Sequence, residues 1–241
     1  MRQNLLGAIR AVNLLRQRPE DWDALQAKLH VTAQELAEFE DAAEKIVILY
    51  DQERDLLLQD EVFERMEPLD ISAHKLGATA LYRTIPYDRL QRYKVLKQAD
   101  LVLLMTLYPD RFSTKLKQNI WSYYEPLTLH DSSLSCGTHA QLAFDLGYED
   151  VAWDYFQKSV FLDLHNIMEN THHEGIHMAA LGASWQALVL GMAGLRQGKD
   201  GRPQVDPKLP RSIRGLRFSV VMGGCKYKIT IDQDRTKNSI G

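Results

Sequence analysis

The sequence predicts a mainly α-helical protein that ends in a short β-element. Over most of the stretch from Leu5 to about Arg196, apolar residues recur at helical spacing in segments of roughly 12 to 20 residues divided by polar loops. That is the pattern of helical hairpins packed side by side. After Arg196 it gives way to Gly and Pro punctuation, then to alternating residues on either side of Gly223 and Gly224.

The elements follow in order. In NLLGAIRAVNLL, Leu5, Ile9, Val12 and Leu15 fall at helical spacing. Pro19 opens a second helix, PEDWDALQAKLH, with Glu20 and Asp21 in the first turn, where the helix dipole favours acids. Thr32 with Glu35 forms a capping box at the head of AQELAEFEDAAEKI. From Val47 to about Leu76 the periodicity is lost, and VILY and LLLQDEVFERM read as short strands or extended loop. RLQRYKVLKQADLVLLMTLY returns to helix from about Arg89 to Tyr108. Further helices are expected over Ser113–Tyr124, Ser135–Leu146, Glu149–Leu164 and about Ile176–Arg196. Residues 1–196 thus form the helical part, 197–210 a linker, and 211–241 the beginning of a β-domain. In its hairpin, Phe218 and Val220 share a face with Tyr227, Ile229 and Ile231. Two strands alone are marginally stable in water. The hairpin is therefore expected to dock on the helices or to begin a larger sheet, and the chain to be part of a longer one.

Composition narrows the function classes. The 241 residues suffice for one large domain or two ordinary ones. With 45% hydrophobic and 25% charged residues, they match a soluble globular protein. The net charge is −3 and the basic residues are scattered, so no stripe suited to nucleic acid exists. No apolar run approaches the ~20 residues that span a bilayer. Arg10 interrupts the apolar amino terminus, which also lacks a small-residue cleavage site and so reads as an amphipathic helix rather than a signal peptide. Cys136 and Cys225 have neither metal nor redox spacing, which favours free thiols in a reducing compartment and a cytoplasmic location.

Two motifs invite chemistry. HHEGIH, His172 to His177, contains H-E-x-x-H, in which a zinc site would place His173 and His177 on one helix face with Glu174 as base. Gly175 weakens a helix there by about 1 kcal/mol, the preceding residues are polar, and no further His or Glu follows to supply the usual third ligand. No metal site is expected. The second motif is YYEPLTLHDSSLS. Pro126 ends a helix near Tyr124, and the loop then presents Glu125, Thr128, His130, Asp131, Ser132 and Ser133 before the next helix. Two serines at a helix start offer hydroxyls and free backbone N–H groups to an oxyanion, or simply cap the helix. A second helix start follows Gly175, with His177 one turn in. Lys97 and Gln98 sit on an otherwise apolar helix, where a lysine can also snorkel to the rim.

KQAD, YYEPLTLHDSSLS, GIHMAALGASWQALVLGMAGLR and LPRSIRGLRFSV occur here in the order and rough spacing of glycoside hydrolase family 65. The sequence resembles the carboxy-terminal part of that family's α-glucosyl disaccharide phosphorylases. The resemblance implies the second half of an (α/α)6 barrel followed by the start of a small β-domain. It implies inverting phosphorolysis of an α-linked glucose disaccharide to β-glucose 1-phosphate and a free sugar, with inorganic phosphate as co-substrate and no cofactor. A homodimer is the family's expected assembly. By the same resemblance, Ser132, Ser133 and His177 bind phosphate, Lys97 and Gln98 bind the glucosyl unit, and Glu125 accepts sugar hydroxyls. Asp131 orients the serine loop, His130 supports it, and Gly175 allows the turn before His177. The family's general acid lies in a Gly-Pro-Asp-Glu-type motif that this sequence lacks. No catalytic residue is therefore assigned, and the chain alone is expected to be an inactive fragment. A non-catalytic sugar- or phosphate-binding module and a hydrolase of the same family are the alternatives; the Ser132–Ser133 pair counts against the latter.

Overall fold

The computed structural model describes residues 1–77, 81, 84–233 and 239–240. They form two compact units, Met1–Leu49 and Tyr50–Gly241. The first holds α1 (Arg2–Leu15), α2 (Pro19–Leu29) and α3 (Ala33–Lys45), with α1 packed on the other two. Pro19 stands in the first turn of α2, and His30 closes it in the left-handed region at φ 52°. The Thr32 hydroxyl oxygen accepts the Glu35 backbone N–H at 3.0 Å, the expected cap of α3.

The second unit opens irregularly, with the short antiparallel pair β1 (Tyr50–Asp51) and β2 (Leu56–Leu57). Its helices are α4 (Tyr87–Leu90), α5 (Asp100–Leu107), α6 (Thr114–Tyr124), α7 (Ser135–Leu146), α8 (Glu149–Val160), α9 (Thr171–Glu174) and α10 (Met178–Gln186). The expected helix from Arg89 to Tyr108 is corrected here. Only α4 and α5 are helical, and the backbone between them is a run of turns and bends with isolated bridges at Tyr93 and Leu96. Leu96 donates its N–H to the Leu127 carbonyl and accepts from Leu129 N–H, both at 2.8 Å, in a parallel bridge with Thr128. Pairing with a distant segment overrides the local periodicity and leaves Lys97 and Gln98 in a bend outside any helix. α8 also ends at Val160, short of Leu164.

The last expected helix is corrected too. α10 starts at Met178 and runs into a π-helical stretch, Ala187–Met192, where Ala193 N–H reaches back five residues to the Leu188 carbonyl at 2.9 Å. Gly194, at φ 61°, ends the run. β3 (Leu195–Gln197) then pairs antiparallel with β4 (Pro203–Val205), so Arg196 is on a strand and the expected linker segment carries β4. β5 (Gly215–Met222) and β6 (Cys225–Asp232) form the expected hairpin, joined through Gly223 and Gly224 at φ 57° and 78°, as a type I′ turn requires. Ile229 and Ile231 are buried, and Phe218 and Val220 pack on the same cluster. β7 (Ser239–Ile240) adds a third strand, while positions 234–238 and 241 of the expected β-domain lie outside the described residues.

The core centres on α7, most of which is buried from Ser135 to Phe144. Contacts along it give a direction. A Cβ on Gly137 would lie 2.6 Å from Ala183 Cβ, and one on Gly191 would lie 3.0 Å from Gln141 Cα. Moving forward along α7 therefore moves forward along α10 and its π extension. The two helices run the same way and begin at the same end. No helix among the described residues is long and apolar enough to cross a membrane.

Candidate functional site

The loop between α6 and α7 is built from α6 outward. Pro126 stops the helix, and the Thr128 hydroxyl donates to the Tyr124 carbonyl at 2.6 Å, satisfying one terminal acceptor. The bridge to Leu96 pins Thr128, and His130 follows with a left-handed backbone at φ 58°. The loop then turns through Ser132 and Ser133 into α7. The two serines precede the helix by one turn instead of capping it, since α7 begins at Ser135. Ser132 Oγ donates to Gln98 Oε1 at 2.6 Å, joining two of the expected site residues. Ser133 is half-buried and makes no hydrogen bond among the described residues.

Beneath the loop lies a polar cluster. Tyr155 of α8 donates its hydroxyl to Glu125 Oε1 at 2.7 Å and lies 2.9 Å from His130 Nε2. Lys75 Nζ reaches Glu125 Oε1 at 2.8 Å and the Glu125 carbonyl at 3.0 Å. His130 Nδ1 is 2.9 Å from Ser135 Oγ, and His139 Nδ1 is 2.8 Å from the Ser135 carbonyl. The neighbouring His130 ring, with Lys75 and the Tyr155 hydroxyl, holds the Glu125 carboxyl well below the ordinary range against the cost of burial. Burial lowers His130, and burial with the adjacent His130 ring pushes His139 down to about 3, so both rings are neutral at neutral pH. Burial first, then the Glu125 hydrogen bond, raises the Tyr155 phenol. Glu125, expected to meet sugar hydroxyls, is thus already engaged by Lys75 and Tyr155.

The other helix start is arranged differently from expectation. α9 ends at Gly175, whose φ of 82° and ψ of −168° turn the chain. His177 stands at the N-cap of α10, not one turn in. H-E-x-x-H therefore does not lie along one helix. Among the described residues no group of three or more His, Cys, Asp or Glu side chains is placed to hold a metal ion. Asp163 takes the His177 backbone N–H at 2.9 Å and its ring Nδ1 at 2.6 Å, leaving Nε2 as the nitrogen available to a ligand. Despite desolvation, those bonds keep the Asp163 carboxyl below its usual range.

Because α7 and α10 run in parallel, the serine loop and His177 sit at the same end of the helix pair. Among the described residues no hydrogen bond links His177 to either serine. Two clefts flank the loop. Lys97 and Asp131 line one of about 580 Å³, together with Glu169, Asn170 and Glu174. Gln98 lines the other, of about 220 Å³, with Ser135, Thr138 and His139. Lys97 and Gln98, neighbours in a bend, are thus divided between the clefts. Asp163, Tyr155 and Lys75 escaped the sequence reading. Tyr155 carried a faint signal: it shares the buried face of α8 with Ala152 and Ser159, a place where a phenol needs a partner.

Comparison with known proteins fits this arrangement. The glycosyl hydrolase family 65 central catalytic domain matches residues 2–186, and the family's C-terminal domain matches residues 195–239. A kojibiose phosphorylase from Halothermothrix orenii is 34% identical over 212 residues, 88% of this chain and 27% of its own length. An alpha,alpha-trehalose phosphorylase from Geobacillus stearothermophilus is 35% identical over 238 residues, 98% of this chain and 31% of its own. The chain thus spans less than a third of either relative. A solved structure of a candidate kojibiose phosphorylase from the human microbiome superposes with a TM-score of 0.79 at 32% identity, covering 95% of this chain and 32% of that one. These matches bear out the mainly helical fold expected as part of an (α/α)6 barrel. With the family's catalytic-domain model extending over most of the sequence, this chain belongs to glycosyl hydrolase family 65.

Proposed function

We propose that this chain carries the phosphate-binding side of an inverting α-glucosyl disaccharide phosphorylase. The observation that supports this best is the serine loop, set at the same end of the parallel helices α7 and α10 as His177. Helix starts favour anions through unsatisfied N–H groups and the helix dipole. Ser132, Ser133 and His177 add side-chain donors there. Turning the Gln98 amide over would offer its nitrogen to Ser132 Oγ and release the serine proton toward phosphate. His177, oriented by Asp163, would donate from Nε2 once protonated. Lys97 would meet hydroxyls of the glucosyl unit from the polar cleft, with Asp131 on the same wall.

In this reading phosphate attacks the anomeric carbon from the face opposite the leaving group, and a carboxylic acid protonates the departing oxygen. That acid comes from outside these 241 residues, since the Gly-Pro-Asp-Glu-type motif does not occur in them. A general acid contributes about 10²–10⁴-fold, so the chain by itself binds phosphate but does not turn over.

Calorimetric titration with inorganic phosphate, paired with an assay for released glucose 1-phosphate, tests both halves. Saturable phosphate binding that weakens roughly tenfold or more in Ser132→Ala/Ser133→Ala is expected, about the size of one or two net hydrogen bonds. Absence of phosphate binding, or binding indifferent to that double substitution, refutes the assignment. Turnover by the chain alone refutes the location of the acid.

A further inference from the structure

The cluster beneath the serine loop has a direction set by its own hydrogen atoms. Glu125 is ionised and can only accept, so the single Tyr155 hydroxyl proton goes to its Oε1. The Tyr155 oxygen is then an acceptor for His130, whose Nε2 must carry the ring proton. A neutral imidazole protonated at Nε2 is bare at Nδ1, so Ser135 must donate its hydroxyl proton to Nδ1. The chain therefore runs one way, from Ser135 through His130 and Tyr155 to Glu125. His139 confirms the polarity from the side. Its Nδ1–H faces the Ser135 carbonyl at 2.8 Å and Ser135 Oγ at 3.4 Å, so toward Ser135 it can only donate, which leaves the Oγ proton for His130.

The two ends of this relay bracket the loop. Glu125 caps α6, and Ser135 is the first residue of α7. Between them His130 is 1% exposed and holds a backbone conformation that a side chain rarely adopts. Such a conformation persists when the surroundings over-determine it. Here the surroundings are the two ring hydrogen bonds, an edge contact with the His139 ring and a tilted contact with Tyr155. We infer that Tyr155 is a positioning residue: through His130 it fixes one ring tautomer and thereby the path of residues 130–135, which sets where Ser132 and Ser133 present their hydroxyls. The consequence for phosphate rests on the function proposed above; the consequence for tautomer and loop order does not.

The test uses the whole 241-residue chain and Tyr155→Phe, which keeps the ring and removes the hydroxyl. Long-range ¹H–¹⁵N NMR at neutral pH should show His130 protonated at Nε2 and His139 at Nδ1 in the parent chain. In the variant the His130 preference should collapse to a mixture or reverse. Amide exchange across residues 131–134 should accelerate about tenfold while β5 and β6 are unchanged, and phosphate affinity should fall about five- to tenfold, the size of one net hydrogen bond. A parent His130 protonated at Nδ1 overturns the inference, as does a Tyr155→Phe chain with the parent tautomer and exchange rates. If the parent chain binds no phosphate, the proposed function fails, while tautomer and exchange still decide the positioning role. The parent tautomer is decisive even if the variant fails to fold.

Discussion

Replacing Gly137 by Ala sets two known effects against each other at one atom. In an isolated helix the change stabilises by about 1 kcal/mol, because alanine loses less backbone freedom. In α7 the new methyl would stand 2.6 Å from Ala183 Cβ and 3.0 Å from both the Ala183 carbonyl carbon and Ser159 Oγ. Carbon atoms pack near 3.5–4.0 Å, so α10 must retreat by roughly 1 Å. Overpacking of this kind costs about 1–3 kcal/mol. The Ser159–Ser184 hydrogen bond, 2.8 Å between α8 and α10 beside the new methyl, is placed to break, at about 1 kcal/mol more. The clash outweighs the propensity, and Gly137→Ala should destabilise by about 1–3 kcal/mol. Gly182 supplies the control, since a Cβ there meets nothing within 4 Å. Gly182→Ala should show the propensity gain alone, about 0.5–1 kcal/mol. Urea unfolding followed by tryptophan fluorescence measures both. Equal shifts in the two variants would refute the close approach of α7 and α10, and with it the shared end of their helix starts.

Three further outcomes follow from other parts of the fold. His130 and His139 are held neutral below their unfolded values near 6.5, so the unfolded chain takes up more protons as pH falls. Stability should be intact above about pH 6.5 and fall below it, with His139 contributing about 2 kcal/mol of loss at pH 5; His139→Gln should remove that share in urea titrations at pH 5 and 8. Lys117→Met removes an ammonium 2.6 Å from Asp145, but Arg196 stays 3.0 Å from the same carboxylate. The loss should be about 1–2 kcal/mol, below the roughly 3–5 of a fully orphaned buried pair, and a double-mutant cycle with Arg196→Met should show coupling. Gly194→Ala needs φ 61° and puts a methyl 2.1 Å from the Asp206 carbonyl oxygen; β3 and β4 should separate, with loss above about 3 kcal/mol by thermal or urea unfolding.

What could be read from the sequence was what neighbouring residues decide. Thr32 with Glu35, Pro19 before two acids, and Gly223-Gly224 between alternating strands are local devices, and each stands where expected. The start and end of α7 were legible for the same reason. The bridged, non-helical chain around Leu96 was not, because its partners, Leu127 and Leu129, lie some thirty positions away while its own composition suits a helix. The site divides likewise. The serine loop and Gly175 show themselves as punctuation, but Tyr155, Lys75 and Asp163 reach Glu125, His130 and His177 through space. No local pattern marks a lysine 50 positions away as the partner of Glu125.

The π-helical stretch has a consequence for how chains of this kind can change length. Each residue added to or removed from an ordinary helix swings everything beyond it by about 100°, which would pull Gly191 off Gln141 or turn Leu195 out of its cluster. A π turn already contains one surplus residue. Deleting a single position within Ala187–Met192 lets the stretch relax to α geometry while both flanks keep their facing. Gaps between relatives should therefore gather in those six positions and be scarce in α10 just before them. The bulge is a length buffer, separating the phase of the helix that starts at His177 from the phase of the strand that ends its run.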